Sequence, residues 1–374
     1  MKRRKRIGIS LIVASLLVGA LSWSASRVIR QEQRNRQLIT AIKQSDYGHS
    51  QAAKVRACLE RGADPNAYDV PYRTDLSWDR LLTVFGVRKS HADSTQNALF
   101  LALEGEMNDT TYSFMHFPDP AIVKILLQHG ADIRSKDRYG RLPLAAAFKL
   151  IVYPPHAGGS SPPINLECEQ CLIEAGADVE ARDQDGYTAL MTDSRLAALL
   201  LRKGANVNAA MKDGTTALIC HAMNGDESVC RFLLDHGADV NASQGGRTAL
   251  YFAAQGGDAA IVGMLLKHGA AVDGKGIHVQ TALMTAAEGG HCAIVQTLLQ
   301  HGAAIDAQDM EGWTPLLYAA RQGNETCVRQ LLGRGASVTL KGKDGETLAQ
   351  MVKDPGTKGN RAVMRLLKQY GMTE

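Results

Sequence analysis

Apolar positions along most of this chain come in pairs of short runs, each spaced like one face of an α-helix. The stretch that begins at Thr281 illustrates the pattern, with a first run and a second run separated by polar residues and glycine. The apolar positions of the two runs are, in order, Leu283, Ala286, Ala287, and then Ile294, Val295, Leu298 and Leu299. The pattern predicts two short amphipathic helices in each unit.

The same pair of runs returns at a nearly fixed interval. A glycine follows the second run each time, and successive glycines are 68, 46, 28, 33, 32, 33 and 33 residues apart. These glycines are Gly62, Gly130, Gly176, Gly204, Gly237, Gly269, Gly302 and Gly335. A period near 33 residues predicts a stack of similar helical units, each of which buries its apolar face against its neighbours.

Local signals mark the ends of the two helices. Threonine followed by proline or alanine suits a helix start, since threonine is a good N-cap and proline is tolerated in the first turn. The repeated glycine suits the end of the second helix, where a left-handed conformation costs glycine little. The segment from Asp306 to Gly312 is therefore expected to be a turn between units.

One unit carries a recognisable signature. Gly312-Trp313-Thr314-Pro315-Leu316, followed by Leu331-Leu332 and Gly335-Ala336, resembles an ankyrin repeat. The resemblance implies a mainly α-helical solenoid of helix-turn-helix units joined by β-turn or hairpin fingers. It also implies recognition of another protein without catalysis and without a cofactor. Regular repeats are expected over 186–345, irregular ones over 37–185, and a C-terminal capping repeat over 346–374.

The irregular half holds three candidate insertions. Residues 68–96 are either an eroded repeat or a plain insertion, since the glycine spacing of 68 equals about two periods. Gly105 to Pro120 falls between the two helices of one repeat, and Pro120 suits the first turn of the second helix. Val152 to Asn165 is rich in proline and glycine and is expected to form a loop.

The N-terminus has a different composition. Residues 1–6 form a basic flank, 7–26 are uncharged and predominantly apolar, and 27–36 are interpreted as a linker to the repeats. About 20 helical residues span the hydrocarbon core of a membrane. We interpret 7–26 as one transmembrane helix that acts as a retained signal anchor, with a cleaved signal peptide as the alternative.

Charge suggests where the repeats reside. The basic residues before Ile7 outweigh the four arginines that follow, which favours a cytoplasmic N-terminus. A single-pass protein of the bacterial inner membrane, with its repeats in the periplasm, is the expectation. The chain has a net charge of +4, and the segment after residue 36 is mildly acidic, so nucleic acid is not expected as a partner.

Other chemistry has few candidates. No nucleotide-binding, hydrolase or metalloprotease motif is present, so no catalytic, cofactor-binding or metal-ligating residue is assigned. The seven cysteines show no regular spacing. Cys168 and Cys171 could serve a periplasmic thiol-redox or metal-binding protein, but their alignment with Ile122 and Ile125 favours a packing role.

A histidine precedes the glycine in four repeats, at His129, His236, His268 and His301. One histidine per repeat at the same position is more typical of a structural role at a helix end than of a metal site. We therefore expect each imidazole to lie near the last carbonyls of its helix.

Candidate partner-binding residues come from two places. Residues 68–153 hold eleven of the chain's twenty aromatic side chains, and aromatic residues on loops often dominate interfaces. Residues just before the repeat threonine are expected near the finger tips. The candidates are Tyr112, Phe114, Phe117, Tyr187, Arg247, His278 and Trp313.

Overall fold

The computed structural model describes residues 26–44, 51–68, 97–104, 118–137, 139–148, 166–274, 276, 279–343, 345, 347–353 and 360–371. The chain divides into two compact units, Met1–Asp185 and Gly186–Glu374. The described part of each unit consists almost entirely of short helices in pairs, and nine such pairs are present in the described residues. In every pair the second helix ends at a glycine, and from the second pair onwards the first helix follows a finger, the short segment that connects two repeats.

The first unit contains three pairs of helices among its described residues. They are α1 (26–43), α2 (Ala52–Glu60), α3 (Ala98–Glu104), α4 (Pro120–Gln128), α5 (Pro143–Phe148) and α6 (Leu166–Glu174). Its largest fully buried side chains include Leu38, Ile42, Phe100, Leu126 and Phe148. The unit thus has its own apolar core.

The second unit contains six pairs. Its helices are α7 (Ala189–Thr192), α8 (Ala197–Arg202), α9 (Ala217–Asn224), α10 (Glu227–Asp235), α11 (Ala249–Gly256), α12 (Ala259–Lys267), α13 (Ala282–Gly289), α14 (Cys292–Gln300), α15 (Pro315–Arg321), α16 (Glu325–Gly333), α17 (Leu348–Lys353) and α18 (Asn360–Gln369). A 3-10 turn, Ser194–Leu196, joins α7 to α8. Strands β1 (Ser243–Gln244) and β2 (Arg247–Thr248) form an antiparallel hairpin in one finger.

The predicted helix starts are largely confirmed. The hydroxyls of Thr248, Thr281 and Thr314 each accept a hydrogen bond from the backbone N–H three residues later. In the first unit, Pro120 begins α4, and Asp119 Oδ1 accepts from the N–H of Ala121 at 2.9 Å. The insertion before Pro120 therefore ends at a capped helix start.

The predicted helix ends are confirmed throughout. The eight repeated glycines, together with Gly371, all have φ between +85° and +91°. A side chain at such a position would be strained, so glycine is favoured at these nine positions. The left-handed turn directs the chain out of the second helix and into the next finger.

Small residues allow the first helices to approach one another closely. Ala222, Ala254, Ala287 and Ala320 occupy equivalent positions in four successive repeats, and none has any exposed surface. Leucines occupy another buried column, at Leu218, Leu250, Leu283 and Leu316. The repeated columns explain why the second unit keeps a nearly constant period.

In five repeats, a polar side chain bonds to the backbone of the following repeat. We call the fourth residue after the helix-ending glycine the bridging residue. Asn241 donates to the carbonyl of Gly269 at 3.3 Å and accepts from the N–H of Ala271 at 2.8 Å. Asn208 bonds in the same way to Gly237 and Asp239. At the equivalent positions, the Asp273 and Asp306 carboxylates accept a hydrogen bond from the N–H groups of Ala304 and Ser337 and have no hydrogen to donate.

The bridging residue of the first unit identifies the segment after Tyr68 as an insertion. Asn66 donates to the carbonyl of Gly130 and accepts from the N–H of Asp132. The repeat that ends at Gly62 is therefore tied directly to the one that ends at Gly130, 68 residues later. Tyr68 pairs with Asn97 in a β-bridge, so the chain leaves the finger after Tyr68 and re-enters at Asn97. One repeat with two insertions accounts for the double spacing.

Helix α1 corrects the interpretation of residues 27–36 as a linker. These residues are helical, and two of them bond to the first repeat as a bridging residue would. Gln31 donates to the carbonyl of Gly62 at 2.9 Å, and Asn35 Oδ1 accepts from the N–H of Asp64 at 2.8 Å. Residues 27–36 are polar like a linker because α1 buries mainly its C-terminal end, which includes Leu38 and Ile42.

The last pair of helices covers the apolar face of the repeat before it. Leu348, Val363, Leu366 and Leu367 are buried, while Arg361, Arg365 and Lys368 are exposed. Helix α18 packs against α16, and α17 packs against α15. This distribution is the one expected of a capping repeat.

One repeat is shorter than the others, and a histidine compensates for it. Helix α7 ends at Thr192, which leaves the carbonyl of Leu190 without a helical N–H four residues later. His221 stands where the next repeats have alanine, and its Nε2 lies 3.0 Å from that carbonyl oxygen. Its Nδ1 lies 2.8 Å from Asp226 Oδ2. The imidazole thus fills the space that the short helix leaves.

Among the described helices, none combines the length and the apolar character needed to cross a membrane. The predicted transmembrane segment, 7–26, lies outside the described residues apart from Ser26. The candidate loop 152–165 also lies outside them.

Replacement of the bridging residue Asn241 tests the inter-repeat bonds. Asn241→Ala should lower the free energy of unfolding by about 1 kcal/mol, since the two backbone groups are exposed and water can replace the lost amide. Asn241→Asp should cost less, because Asp273 and Asp306 already act as acceptors alone. Urea unfolding of the full chain would measure both.

The control for this prediction is Gln296→Ala, on the exposed side of α14. It should change stability by less than about 0.5 kcal/mol. Equal destabilisation by all three variants would contradict a specific role for the bridge.

Candidate functional site

The four histidines at the ends of second helices are structural, as their repetition predicts. In each, Nδ1 lies within hydrogen-bond distance of the carbonyl oxygen four residues earlier. His129, His236, His268 and His301 approach the carbonyls of Ile125, Phe232, Met264 and Thr297 at 2.8 to 2.9 Å. Among the described residues, no group of three or more His, Cys, Asp or Glu side chains is placed to hold a metal ion.

Cys168 and Cys171 lie on α6, at the positions that Ile122 and Ile125 hold on α4. Cys168 is buried, as predicted, whereas Cys171 is only half-buried. Both are free thiols. Burial raises the pKa of Cys168, and the neighbouring Cys171 raises it further. Burial also raises the pKa of Cys171, against the effect of Lys124. Reactive cysteines have lowered pKa values, so these two have the opposite environment.

Two further free cysteines are also buried. Burial raises the pKa of Cys220 to about 12, and it raises that of Cys230 to about 12 as well. Thiols with such pKa values are almost entirely protonated near neutral pH and are weak nucleophiles. They pack as small apolar side chains.

A disulfide joins Cys292 at the start of α14 to Cys327 in α16. The two Cα atoms are 5.0 Å apart, within the range usual for disulfides. The bond links the second helices of two successive repeats. This disulfide was not predicted from the sequence, although the separation of 35 residues differs by only two from the repeat period.

The fingers and first helices of the second unit form a continuous set of varied side chains, which we call the inner face. It has three rows of three equivalent positions, taken from the repeats that contain α11, α13 and α15. The rows are Arg247, Phe252, Gln255; then Gln280, Thr285, Glu288; and then Trp313, Tyr318, Arg321. Within each row the first residue belongs to the finger and the other two to the helix.

In each of the two outer rows, an arginine side chain stacks on an aromatic ring. The Arg247 guanidinium carbon lies 5.1 Å from the centre of the Phe252 ring. That of Arg321 lies 4.8 Å from the centre of the Trp313 ring, which in turn contacts Tyr318 at 5.2 Å. Stacking on an aromatic ring fixes the orientation of a guanidinium group.

A hydrogen-bonded network connects the three rows. Tyr251 OH donates to Gln280 Oε1 at 3.1 Å, and Gln280 Nε2 donates to the Tyr318 oxygen at 2.6 Å. Tyr318 OH then donates to Asp309 Oδ2 at 2.6 Å. Burial raises the pKa of Tyr318, and its bond to Asp309 raises it further. Burial also raises the pKa of Tyr251. Both hydroxyls therefore stay protonated and act as donors.

The finger that carries the first residue of the middle row, Gln280, has a strained backbone. Val279, just before Gln280, has a φ of +67°, the one positive value at a non-glycine position among the described residues. A β-branched residue rarely adopts this conformation. The bonds between Gln280 and the two tyrosines compensate for this cost and hold the finger in place.

Three of the seven predicted partner-binding residues are described. Arg247 and Trp313 lie on the inner face and are half-buried, because each packs on or under another side chain. Tyr187 is half-buried at its own finger. Tyr112, Phe114, Phe117 and His278 lie outside the described residues. Their role remains a prediction.

Of the nine inner-face residues, only Arg247 and Trp313 were predicted from the sequence. Phe252, Tyr318 and Arg321 belong to first helices, where only the apolar period was considered. The signal was present in the register, since Arg247, Phe252 and Gln255 stand 66 residues before Trp313, Tyr318 and Arg321. The finger tips also expose Tyr139 and Met310, with 52% and 55% of their surface accessible.

A thiol titration at pH 8 would test the assignment of the cysteines. Cys168, Cys220 and Cys230 should react only after unfolding, because a raised pKa leaves little thiolate at this pH. Half-buried Cys58 should react in the folded protein, as loss of this label in the Cys58→Ser variant would show, whereas Cys171 should react slowly because its pKa is raised. Cys292 and Cys327 should react only after reduction. Rapid native labelling of Cys168 would contradict its packing role.

Comparison with known proteins agrees with the repeat pattern. The family model for ankyrin repeats, in three copies, matches residues 192–276 and 273–342. Ankyrin repeat and SOCS box protein 6 of Mus musculus is 37% identical over 87 residues, and that of Homo sapiens is 36% identical over 87 residues. Each match covers 22% of this chain and 18% of the relative. The repeated units within residues 192–342 therefore match ankyrin repeats, as the spacing of their glycines and threonines predicts.

Proposed function

We propose that this protein is a non-catalytic binding module, tethered to a membrane, whose ankyrin repeats hold another protein. Ankyrin repeats are generally interaction modules, and the inner face of the second unit is the observation that carries the proposal. Its six half-buried or exposed positions differ from repeat to repeat, whereas the buried leucine and alanine columns of the first helices are nearly the same.

This contrast distinguishes recognition from folding. The column of Ala254, Ala287 and Ala320 is uniform because the stack requires small side chains there. Phe252, Thr285 and Tyr318 occupy the neighbouring column and are buried as well, so the other six positions, among them Gln255, Glu288 and Arg321, carry the variation at the surface. Varied side chains on a uniform scaffold are typical of a surface adapted to one partner.

The membrane tether rests on the sequence. Five basic residues precede an uncharged segment at 7–26, and the segment has the length of a membrane-spanning helix. Residues from Ser26, the last of that segment, to residue 43 are helical, and this helix bonds to the first repeat through Gln31 and Asn35. The tether would therefore connect to the repeats through a helix with no long flexible spacer.

The disulfide supports a location outside the cytoplasm. Disulfides persist in oxidising compartments such as the bacterial periplasm and are rare in the cytosol. Cys292 and Cys327 are paired, while Cys168, Cys220 and Cys230 are buried and protected from oxidation. Together with the basic flank before Ile7, this pairing favours a periplasmic repeat domain of an inner-membrane protein.

Two alternatives to a membrane-tethered binding module are a secreted protein and a thiol-redox or metal-binding protein. A cleaved and secreted protein would have the same repeats without the tether. A thiol-redox or metal protein would need Cys168 and Cys171 to be reactive, which their raised pKa values disfavour. The curated relatives match only about a fifth of this chain, so their similarity supports the binding role without naming a partner.

Topology provides a direct test. Alkaline phosphatase fused after Glu374 should be active, because this enzyme requires an oxidising compartment, and the fusion should stay in the membrane pellet after a carbonate wash. Replacing Lys2, Arg3, Arg4, Lys5 and Arg6 with glutamine should reduce phosphatase activity several-fold. An inactive phosphatase with an active cytoplasmic reporter would reverse the orientation. Activity in the medium would indicate cleavage.

Site-specific crosslinking tests the binding role. A photoreactive amino acid at Gln255 or Glu288, both exposed on the inner face, should give a crosslinked product in intact membranes. The same group at Gln296, on α14, is the matched control and should give none. Mass spectrometry then identifies the partner.

A third crosslinking position examines the other predicted surface. A product from Phe114 alone would move the binding site to the inserted segment of the first unit. The absence of a crosslinked product at all three positions, Gln255, Glu288 and Phe114, would contradict the proposed function.

A further inference from the structure

We propose that the inner face binds an extended acidic segment of the partner. Two carboxylates of this segment, about six residues apart in the partner's sequence, contact Arg247 and Arg321. This inference rests on the proposed function and specifies its partner. Both arginines lie on the same face, at opposite corners of the nine positions.

Neither arginine is neutralised within the described part of the chain. The ion pairs found there involve other residues, such as Arg329 with Glu325 and Arg231 with Glu227. Arg247 Nε is buried and has no hydrogen-bond partner among the described residues. Because this atom is covered by the protein, a carboxylate on the bound partner would contact the terminal nitrogens of the Arg247 guanidinium.

Both guanidinium groups are held in place before binding. Phe252 supports Arg247, and Trp313 supports Arg321, at 5.1 and 4.8 Å between the guanidinium carbon and the ring centre. A supported side chain loses less conformational entropy on binding than a mobile one. The planar fork of a guanidinium also matches the two oxygens of a carboxylate.

The middle row has the opposite charge and limits where the acidic residues can sit. Glu288 is exposed there, and its charge contributes to the raised pKa of both Tyr251 and Tyr318. Asp309 is already bonded to Tyr318, and Glu311 is exposed at the finger tip. Carboxylates of a partner are therefore favoured at the two corners and disfavoured between them.

The distance between the corners sets the spacing of the partner's acidic residues. Neighbouring packed helices are roughly 8 to 10 Å apart, so two repeats separate the rows by about 16 to 20 Å. The corners also differ by about two helical turns along the helix axis. The resulting diagonal of roughly 20 Å equals about six residues of an extended chain, at roughly 3.3 Å per residue.

Binding of synthetic peptides to the full-length protein in detergent tests the spacing. The probe is a fluorescent peptide of serine, threonine and valine with two glutamates six residues apart, measured by fluorescence anisotropy. It should bind more tightly than a peptide of the same composition with adjacent glutamates. A version with lysine in place of glutamate should not bind, and added salt should weaken binding of the first peptide.

Arginine variants then test the assigned residues. Arg247→Gln and Arg321→Gln should each weaken binding about tenfold, while Arg329→Gln on α16 should leave it unchanged. Thermal unfolding of each variant checks that the fold is intact. A lysine peptide that binds equally well, or arginine variants with unchanged affinity, would overturn the proposal.

The proposed function and this inference can fail separately. Crosslinks at Gln255 and Glu288, without binding of the spaced glutamate peptide, would keep the binding module and reject the extended acidic segment. Preference for glutamates about fifteen residues apart would reject the extended form in favour of a helical partner.

Discussion

The bond between the bridging residue and the next repeat's backbone is the interaction on which the arrangement depends. Glycine in a left-handed conformation ends each second helix, which leaves its carbonyl and a nearby N–H pointing away from the helix. Asn241 satisfies both groups of the following repeat with one side chain. Repeats that are linked in this way are held in register with their neighbours, and the register determines which finger residues share the inner face.

Register also explains how one surface can serve both folding and recognition. Buried leucines and alanines repeat because each must fit the same gap between helices. Gln280 bonds to tyrosines of the repeats before and after it, so the network that stabilises the strained finger at Val279 also orders the surface. A change at Gln280 would therefore affect stability and recognition together.

Much of the fold could be predicted from the sequence, because its determinants recur. The helix-ending glycines, the threonine caps, the start at Pro120 and the histidine contacts all follow from local chemistry at fixed positions. The disulfide between Cys292 and Cys327 depends on how two helices pack, and spacing alone does not specify that geometry. The stacking of Arg247 on Phe252 likewise depends on side-chain conformation. Helix α1 escaped prediction because its few apolar residues lie at one end.

The two bonds from α1 have a consequence for association between molecules. Gln31 and Asn35 occupy the carbonyl of Gly62 and the N–H of Asp64, the same groups that a preceding repeat would use. A repeat from a second copy of the chain could not bond there without displacing α1. Head-to-tail contacts of this kind generate open filaments when nothing stops them. The amide side chains of α1 therefore occupy, at this end of the array, the backbone groups that such a contact would need.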